Sequence, residues 1–165
     1  LDLIVLKKQE IQFQAIQMRP FLFSLYTFVA PFFLQNQIKM EFHAEDSQIS
    51  MEPDLMRTLC MNLLNNAQKA IEGAGTISLL GSVLPEGYRI TISDTGKGIP
   101  QEELAHITEA FYRVDKSRAR AQGGVGLGLS ICSQIIALHD GSMTFQSQLG
   151  QGTTVTILLK KEALP

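Results

Sequence analysis

Two asparagines and a lysine recur at helical spacing in the segment NLLNNAQKA, residues 62–70. Asn62, Asn66 and Lys69 are four and three residues apart, which places them on one stripe of a helix. The rotation of the helix from residue to residue places that stripe beside the apolar positions Leu63 and Leu64. An amide oxygen is a hard ligand that can complete the shell of a Mg²⁺ ion, and a lysine ammonium suits a phosphate. The spacing indicates a site for a metal-bound phosphate, although an ordinary amphipathic helix also fits it.

Asp94 is the last residue of an alternating strand pattern, and a glycine-rich loop at residues 95–100 follows it. Asp94 has the same strand parity as Ile90 and Ile92, so its side chain is expected to face the interior. A buried carboxylate needs a hydrogen-bond donor, and the amino group of an adenine ring would supply one. Gly96 and Gly98 would let the backbone approach a planar ring or a sugar closely. A plain Asp-Thr-Gly turn is the alternative interpretation.

A second glycine-rich segment, GGVGLGLS at residues 123–130, runs directly into a predicted helix. Backbone amides at the start of such a helix point at the loop and favour an anion there. The segment is not a Walker A loop, because no Lys-Ser or Lys-Thr pair follows it. It fits a dinucleotide-binding fold poorly, because it lies late in the chain and no clear parallel strand precedes it.

The segment GQGTTV, residues 150–155, combines a turn with the start of a strand. Thr153 shares parity with Val155 and Ile157, so its hydroxyl is also expected to face inward. An inward threonine and an inward Asp94 could reach one polar edge of the same ligand. Taken alone, this segment is better explained as a simple hairpin turn.

The elements that would position these residues alternate between helices and hairpins. This order predicts an α+β two-layer sandwich, with one mixed sheet covered by helices on one face. The segment 115–123 is polar and basic without an apolar period, so a mobile lid is expected there. The predicted elements are a helix end at residues 1–8, strands at 10–16 and near 38–42, helices at 21–34, from Pro53 to the glycines at 73 and 75, at 101–111 and at 127–138, and hairpins around 85–87 and from Met143 to Leu159.

The composition is that of an ordinary globular domain, with 165 residues, 45% hydrophobic and 18% charged. A net charge of −2 gives no sign of a nucleic-acid partner or of a polybasic membrane patch. The apolar run at 21–34 is too short to span a bilayer, is interrupted by Pro31 and is expected to be a buried helix. No basic segment precedes it as in a signal peptide, and the start at Leu1 suggests a fragment whose parent could be anchored in a membrane.

The cysteines and histidines do not form a ligand cluster in the sequence. Cys60 and Cys132 lie in apolar helical runs without metal-binding spacing, so packed thiols in a reducing compartment are expected. His43, His106 and His139 are scattered along the chain.

Taken in order, the segments resemble the sequence boxes of the ATP-binding domain of sensor histidine kinases. That superfamily also contains gyrase, the ATP-dependent chaperones and the mismatch-repair ATPases. NLLNNAQKA resembles the N box, SDTGKGIP the first G box, EAFYRVDKSR the F box, GGVGLGLS the second G box and GQGTTV the last. The resemblance covers about Leu55 to Leu159 and implies a Bergerat-type ATP-binding fold, with ATP between the N-box helix and a flexible lid.

The resemblance also implies a role for each matched position. Asn66 matches the Mg²⁺-binding asparagine, Lys69 the phosphate-binding lysine, and Asp94 the acceptor for the adenine amino group. The expected contacts of ATP further include two lid cations, the phosphate-side glycines and several neighbours: Arg113, Arg118, Gly124, Gly126, Gly128, Asn62, Gly96, Gly98, Ile99, Tyr112, Leu127, Leu129 and Thr153. His139 matches a position at the end of the last helix, where a structural role is expected.

One position separates the branches of the superfamily. The ATPase branches carry a glutamate four residues before the metal-binding asparagine, and this glutamate activates water. That position here is Asn62, which cannot act as a base, so transfer of the phosphoryl group to another acceptor is favoured over hydrolysis.

The phosphoacceptor is expected outside this chain, because kinases of this kind carry it on an upstream helical hairpin and no histidine precedes His43. Residues 1–8 then form the stub of that hairpin and residues 9–165 the catalytic and ATP-binding domain. The resemblance implies a homodimeric parent joined through the hairpin, a response-regulator partner and a cytoplasmic location. An anti-sigma-type serine kinase and a non-catalytic nucleotide-binding switch are the alternatives. The intact Asn66 and Asp94 disfavour the switch, and the helical stub disfavours the serine kinase.

Overall fold

The structure is a computed structural model that describes residues 11–107 and 128–161. Its elements, in chain order, are β1 (Gln14–Gln17), α1 (Met18–Gln35), β2 (Ile38–Ala44), β3 (Gln48–Met51), α2 (Pro53–Ala70), β4 (Gly75–Leu84), β5 (Gly87–Asp94), α3 (Gln101–Leu104), α4 (Gly128–Leu138), β6 (Ser142–Gln148) and β7 (Gly152–Lys160). The predicted stub at residues 1–8 and the predicted lid at 115–123 lie outside the described residues.

Five strands form one mixed sheet in the order β2-β4-β5-β7-β6. β2 and β4 are parallel, and the other neighbouring pairs are antiparallel. Alternate residues of the central strands, such as Ile90 and Ile157, are fully buried in one core with the inner faces of α1, α2 and α4. The residues between them, such as Thr91 and Thr156, are half-buried on the other face. The predicted α+β sandwich, with helices on one face of a mixed sheet, is therefore confirmed.

Helix α1 is longer than predicted and only half-buried. Its inward positions follow helical spacing and are buried: Met18, Leu22, Leu25, Val29 and Phe33. Its outer face carries apolar side chains that remain accessible, with Phe28 and Leu34 each 71% exposed. The prediction of a buried helix was wrong for this outer face, because an all-apolar composition does not show which side meets the sheet. Pro31 lies inside the helix on its exposed side and does not end it.

The first strand differs from its prediction. Residues 11–13 are not in regular structure, and β1 begins at Gln14 because only there does β3 supply a partner, from Gln14 opposite Met51 to Gln17 opposite Gln48. β3 was not predicted, and it forms with β1 a separate antiparallel sheet of two strands.

A short helix and two hairpins surround the glycine-rich loop at residues 95–100. The predicted helix at 101–111 is present at Gln101–Leu104 and was wrong at residues 105–107, which form a turn. Its last part, residues 108–111, lies outside the described residues. Both predicted hairpins are present, with β4 and β5 on either side of Pro85 and Glu86.

Within residues 11–107 and 128–161, no helix is both long and apolar enough to cross a membrane.

Candidate nucleotide-binding site

Helix α2 carries the asparagine stripe on the edge of its buried face. The helix begins with Pro53 at its first position, and the Glu52 carboxylate caps it by accepting the Leu55 backbone N–H at 2.6 Å. Its inward residues are all buried: Met56, Leu59, Cys60, Leu63, Leu64 and Ala67. Asn62 is half-buried beside them, while Asn66 and Lys69 are exposed. The stripe therefore runs from the helix packing outward to solvent.

Asn62 joins α2 to the start of α4. Its Oδ1 lies 3.8 Å from the point where a side chain at Gly128 would begin. Burial raises the pKa of the Cys132 thiol to about 12, and a hydrogen bond from the Asn62 side chain opposes that rise. The Cys132 thiol also donates a hydrogen bond to the Leu59 carbonyl oxygen, at 3.8 Å. Asn62 is thus held between the two helices.

Asp94 ends β5 and is half-buried. Its Oδ1 accepts the Gly96 backbone N–H at 2.8 Å. Burial raises the pKa of Asp94, and hydrogen bonds from the backbone N–H groups of Gly96 and Thr153 counteract part of that rise. The expected donor to this carboxylate was a ligand, whereas the protein itself supplies two donors. An ionised carboxylate has about four acceptor positions, so it can still accept from a bound base.

The loop at residues 95–100 is docked on the end of α2. The Lys97 backbone N–H donates to the Ala70 carbonyl oxygen at 3.0 Å. A side chain at Gly96 would begin only 2.6 Å from that same oxygen, so only glycine fits there. This docking brings Asp94 and the exposed stripe of α2 to one edge of the domain.

The same loop is locked to the β6–β7 hairpin. The Gly150 N–H donates to the Lys97 carbonyl oxygen at 2.8 Å, and the Ile99 N–H donates to Ser147 Oγ at 2.7 Å. Gly98 has a φ of +77°, and a side chain there would collide with the Gln148 carbonyl oxygen. The loop is therefore held on one side by the end of α2 and on the other side by the β6–β7 hairpin.

Thr153 is directly opposite Asp94 in the β5–β7 register and is 9% exposed. Its Oγ1 lies 2.8 Å from Ser147 Oγ, and either hydroxyl can be the donor. Ser147 was not among the residues that sequence reasoning selected. The available signal was its parity: Ser147 alternates with Met143 and Phe145, which places a hydroxyl on the inward face of β6.

The structure places only part of the predicted set. Asn62, Asn66, Lys69, Asp94, Gly96, Gly98, Ile99 and Thr153 are in the regions described above, and Gly128 and Leu129 form the half-buried start of α4. The remaining predicted contacts lie outside the described residues: Tyr112, Arg113, Arg118, Gly124, Gly126 and Leu127.

His139 is buried and has structural contacts, in line with its expected role. Its Nε2 accepts the Glu52 N–H at 3.1 Å, so Nδ1 carries the proton and donates to the Ile135 carbonyl oxygen at 2.7 Å. Phe13 packs on the ring with centroids 4.9 Å apart. Cys60 and Cys132 are buried free thiols. No group of three His, Cys, Asp or Glu side chains that could hold a metal occurs in the described ranges.

Comparison with known proteins identifies the family. Residues 51–163 match the family model of the histidine kinase-, DNA gyrase B- and HSP90-like ATPases. This chain belongs to that family. It is 40% identical over 115 residues to the circadian input-output histidine kinase CikA of Synechococcus elongatus, covering 68% of this chain and 15% of CikA. It is 38% identical over 122 residues to the signal transduction histidine-protein kinase ArlS of Staphylococcus aureus, covering 74% of this chain and 27% of ArlS. The chain thus spans about a quarter or less of these relatives.

Solved structures of the family share the fold. The catalytic domain of the histidine kinase ThkA superimposes with a TM-score of 0.80 at 22% identity, covering 93% of this chain and 98% of that domain. Full-length ShkA, solved in complex with AMPPNP, superimposes with a TM-score of 0.80 at 25% identity, covering 94% of this chain and 33% of ShkA. The Bergerat-type fold implied by the sequence boxes is confirmed.

Proposed function

We propose that this chain is the catalytic and ATP-binding domain of a sensor histidine kinase, which transfers the γ-phosphoryl group of ATP to a histidine outside the chain. The observation that carries the proposal is the docking of the 95–100 loop on the end of α2. The docked loop brings Asp94, whose carboxylate can accept a hydrogen bond from a nucleotide base, to the same edge as the Asn66 amide and the Lys69 ammonium.

Asp94 gives the site a preference for adenine. Its carboxylate accepts a hydrogen bond from the amino group of adenine but would face the carbonyl oxygen of guanine, which is also an acceptor. A mismatched buried pair of this kind costs about 1–3 kcal/mol. Calorimetric titration should therefore give clearly tighter binding of ADP than of GDP, and equal affinities would contradict the role of Asp94.

Asn66 and Lys69 are suited to the phosphate end of the nucleotide. Asn66 is exposed one turn before the loop contact at Ala70, and its amide oxygen is of the hard type that Mg²⁺ accepts. A bound Mg²⁺ would neutralise phosphate charge, and the Lys69 ammonium would add a point charge beside it. Asn66→Ala should weaken ATP binding strongly with Mg²⁺ present and only slightly in excess chelator. An equal loss in both conditions would contradict a metal-ligand role.

Asn62 favours transfer over hydrolysis. A general base for water must accept a proton, and the Asn62 amide cannot do so. Its side chain is moreover engaged between α2 and α4 through Cys132. Since catalysis of phosphoryl transfer consists mainly of positioning and charge stabilisation, a site without a base and without an acceptor in place should release phosphate slowly.

The partners follow from the resemblance to the two-component kinases. The acceptor histidine would lie on a helical hairpin of the parent protein, through which the parent would form a homodimer. The phosphoryl group would pass on to a response regulator. A domain that consumes ATP would work in the cytoplasm, as an independent protein or as the cytoplasmic part of a membrane-anchored sensor.

The test is incubation of this chain with γ-labelled ATP, with and without the parent's hairpin as a separate polypeptide. The chain alone should remain unlabelled, and the added hairpin should gain acid-labile label, weakly because the two parts are not tethered. Acid-stable label on the chain would instead indicate a serine kinase. Rapid phosphate release would indicate an ATPase, and failure to bind ATP would contradict the proposal altogether.

A further inference from the structure

The hydroxyl of Ser147 stands at the junction between the 95–100 loop and the β6–β7 hairpin. It accepts the Ile99 N–H at 2.7 Å and lies 3.0 Å from the Gly152 carbonyl oxygen and 2.8 Å from Thr153 Oγ1. The carbonyl oxygen of Ser147 accepts a further bond from Gln101 Nε2 at 2.7 Å. One small residue thus connects the loop that follows Asp94 to the strand that carries Thr153.

The number of protons at this junction restricts the hydrogen bonding. A serine hydroxyl has one proton, so Ser147 can donate either to Thr153 Oγ1 or to the Gly152 carbonyl oxygen. In the first arrangement the proton of Thr153 is free to point at a ligand. In the second, Thr153 keeps its contact with Ser147 only by donating to it, and it then offers lone pairs to the ligand. The direction of the Ser147 proton decides whether Thr153 acts as a donor or as an acceptor.

The β5–β7 register places Thr153 beside Asp94, the residue proposed to bind the adenine amino group. Asp94 and Thr153 are direct cross-strand partners, so their side chains are neighbours on one face of the sheet. On adenine, the amino group and the ring nitrogen N1 are adjacent on one edge, the first a donor and the second an acceptor. An adenine whose amino group is bound by Asp94 would present N1 towards the Thr153 hydroxyl, which would then have to donate.

Resting on the proposed function, we propose that Ser147 is a positioning residue for base recognition. Its hydroxyl holds the backbone of the loop at Ile99, and by donating to Thr153 Oγ1 it directs the Thr153 proton towards N1 of adenine. Ser147 itself need not touch the nucleotide. Selectivity for adenine is then shared between Asp94, which reads the amino group, and the Ser147–Thr153 pair, which reads the neighbouring nitrogen.

The test compares ADP with 1-deaza-ADP, in which a carbon replaces N1, by calorimetry on the full chain. The wild-type protein should prefer ADP by roughly 3- to 10-fold, the value of one hydrogen bond. Ser147→Ala should lower this ratio, because Thr153 keeps its own proton but loses the partner that fixes the orientation of its hydroxyl. Ser147→Thr, which keeps the hydroxyl, should preserve the ratio. Ser142→Ala, on the same strand and exposed, is the matched control and should leave the ratio unchanged. A purely structural role would weaken both nucleotides equally, so an unchanged ratio in Ser147→Ala overturns the inference.

A double-mutant cycle with Thr153→Val isolates the coupling. Thr153→Val should abolish the preference for ADP, and adding Ser147→Ala to it should change the ratio no further; a further change would contradict the relay. If Ser147→Ala does not fold, Ser147→Cys retains the volume with a weaker hydrogen-bonding group, and a reduced ratio is again expected. Wild-type protein that binds ADP with a ratio of one overturns this inference alone, whereas wild-type protein that binds neither nucleotide overturns the proposed function as well.

Discussion

Three glycines have nearly the same positive φ but different surroundings. Gly73, Gly98 and Gly150 have φ values of +80°, +77° and +80°. A Cβ atom at Gly73 or Gly150 would meet nothing within 4 Å. At Gly98 it would collide with the Gln148 carbonyl oxygen and lie 3.0 Å from the Cα of Leu149. Alanine at the three positions therefore separates the cost of the left-handed conformation from the cost of the collision.

The expected losses follow from these two costs. A left-handed alanine costs about 1–2 kcal/mol, and the lower entropy of its unfolded chain returns about 0.4–1 kcal/mol. Gly73→Ala and Gly150→Ala should thus lower the free energy of unfolding by about 1 kcal/mol. Gly98→Ala adds an overpacking cost of about 1–3 kcal/mol, so a total of about 2–4 kcal/mol is expected. Relieving the collision would also move the loop away from the hairpin and strain the bond between Gly150 N–H and the Lys97 carbonyl oxygen.

Urea unfolding of the three variants measures these differences, with unchanged m-values as the condition for comparison. The ADP affinity should fall in Gly98→Ala, because the loop beside Asp94 is displaced, and stay unchanged in Gly73→Ala. If Gly98→Ala is no less stable than the other two variants, the close approach of the loop to the hairpin is refuted.

Three further predictions concern other parts of the chain. Burial raises the pKa of both Cys60 and Cys132 to about 12, so neither thiol should react with an aromatic disulfide reagent until urea unfolds the chain; rapid labelling of the native protein would contradict this. Gln37 has a φ of +66°, so Gln37→Gly should raise the free energy of unfolding by about 1 kcal/mol. The control Asn36→Gly loses a side-chain hydrogen bond to α1 and should lower this free energy. A lower urea midpoint for Gln37→Gly would be evidence against strain at Gln37. Burial raises the pKa of Asp94, so on acidification ADP affinity should begin to fall above the usual aspartate range, and a pH profile that Asp94→Asn leaves unaltered would exclude this carboxylate as the cause. Because this pKa is higher in the folded state, the contribution of Asp94 to the unfolding free energy should decrease as pH rises through it.

The alternating strands allowed the sheet and the inward side chains to be predicted from the sequence. A sheet that buries one face fixes the parity of every residue along a strand, so the positions of Asp94 and Thr153 followed from their apolar neighbours. The stripe of Asn62, Asn66 and Lys69 followed in the same way from helical spacing. Local periodicity was sufficient in both cases, because each pattern extends over several turns or residue pairs.

The features that sequence reasoning missed depend on contacts between distant segments. β3 has four residues and no long alternation, so it is recognisable only through its pairing with β1. Ser147 gains its importance from the way the 95–100 loop meets the hairpin, 48 residues further along from Ile99. No local pattern specifies such a meeting. The same limit applies to the exposed face of α1, whose composition resembles that of a fully buried helix.

The small sheet of β1 and β3 has a consequence for rearranging the chain. Ser50 is opposite Ala15 on β1, and its N–H donates to the Lys161 carbonyl oxygen at 3.3 Å. Two strand spacings, roughly 10 Å, therefore separate the first and last described segments. Residues 162–165 and 1–10 provide fourteen residues if Pro165 is joined directly to Leu1, and at about 3.3 Å per residue they reach well beyond this gap. A circular permutant that opens at the exposed Gly73–Ala74 bond would keep every strand continuous and every strand pairing intact.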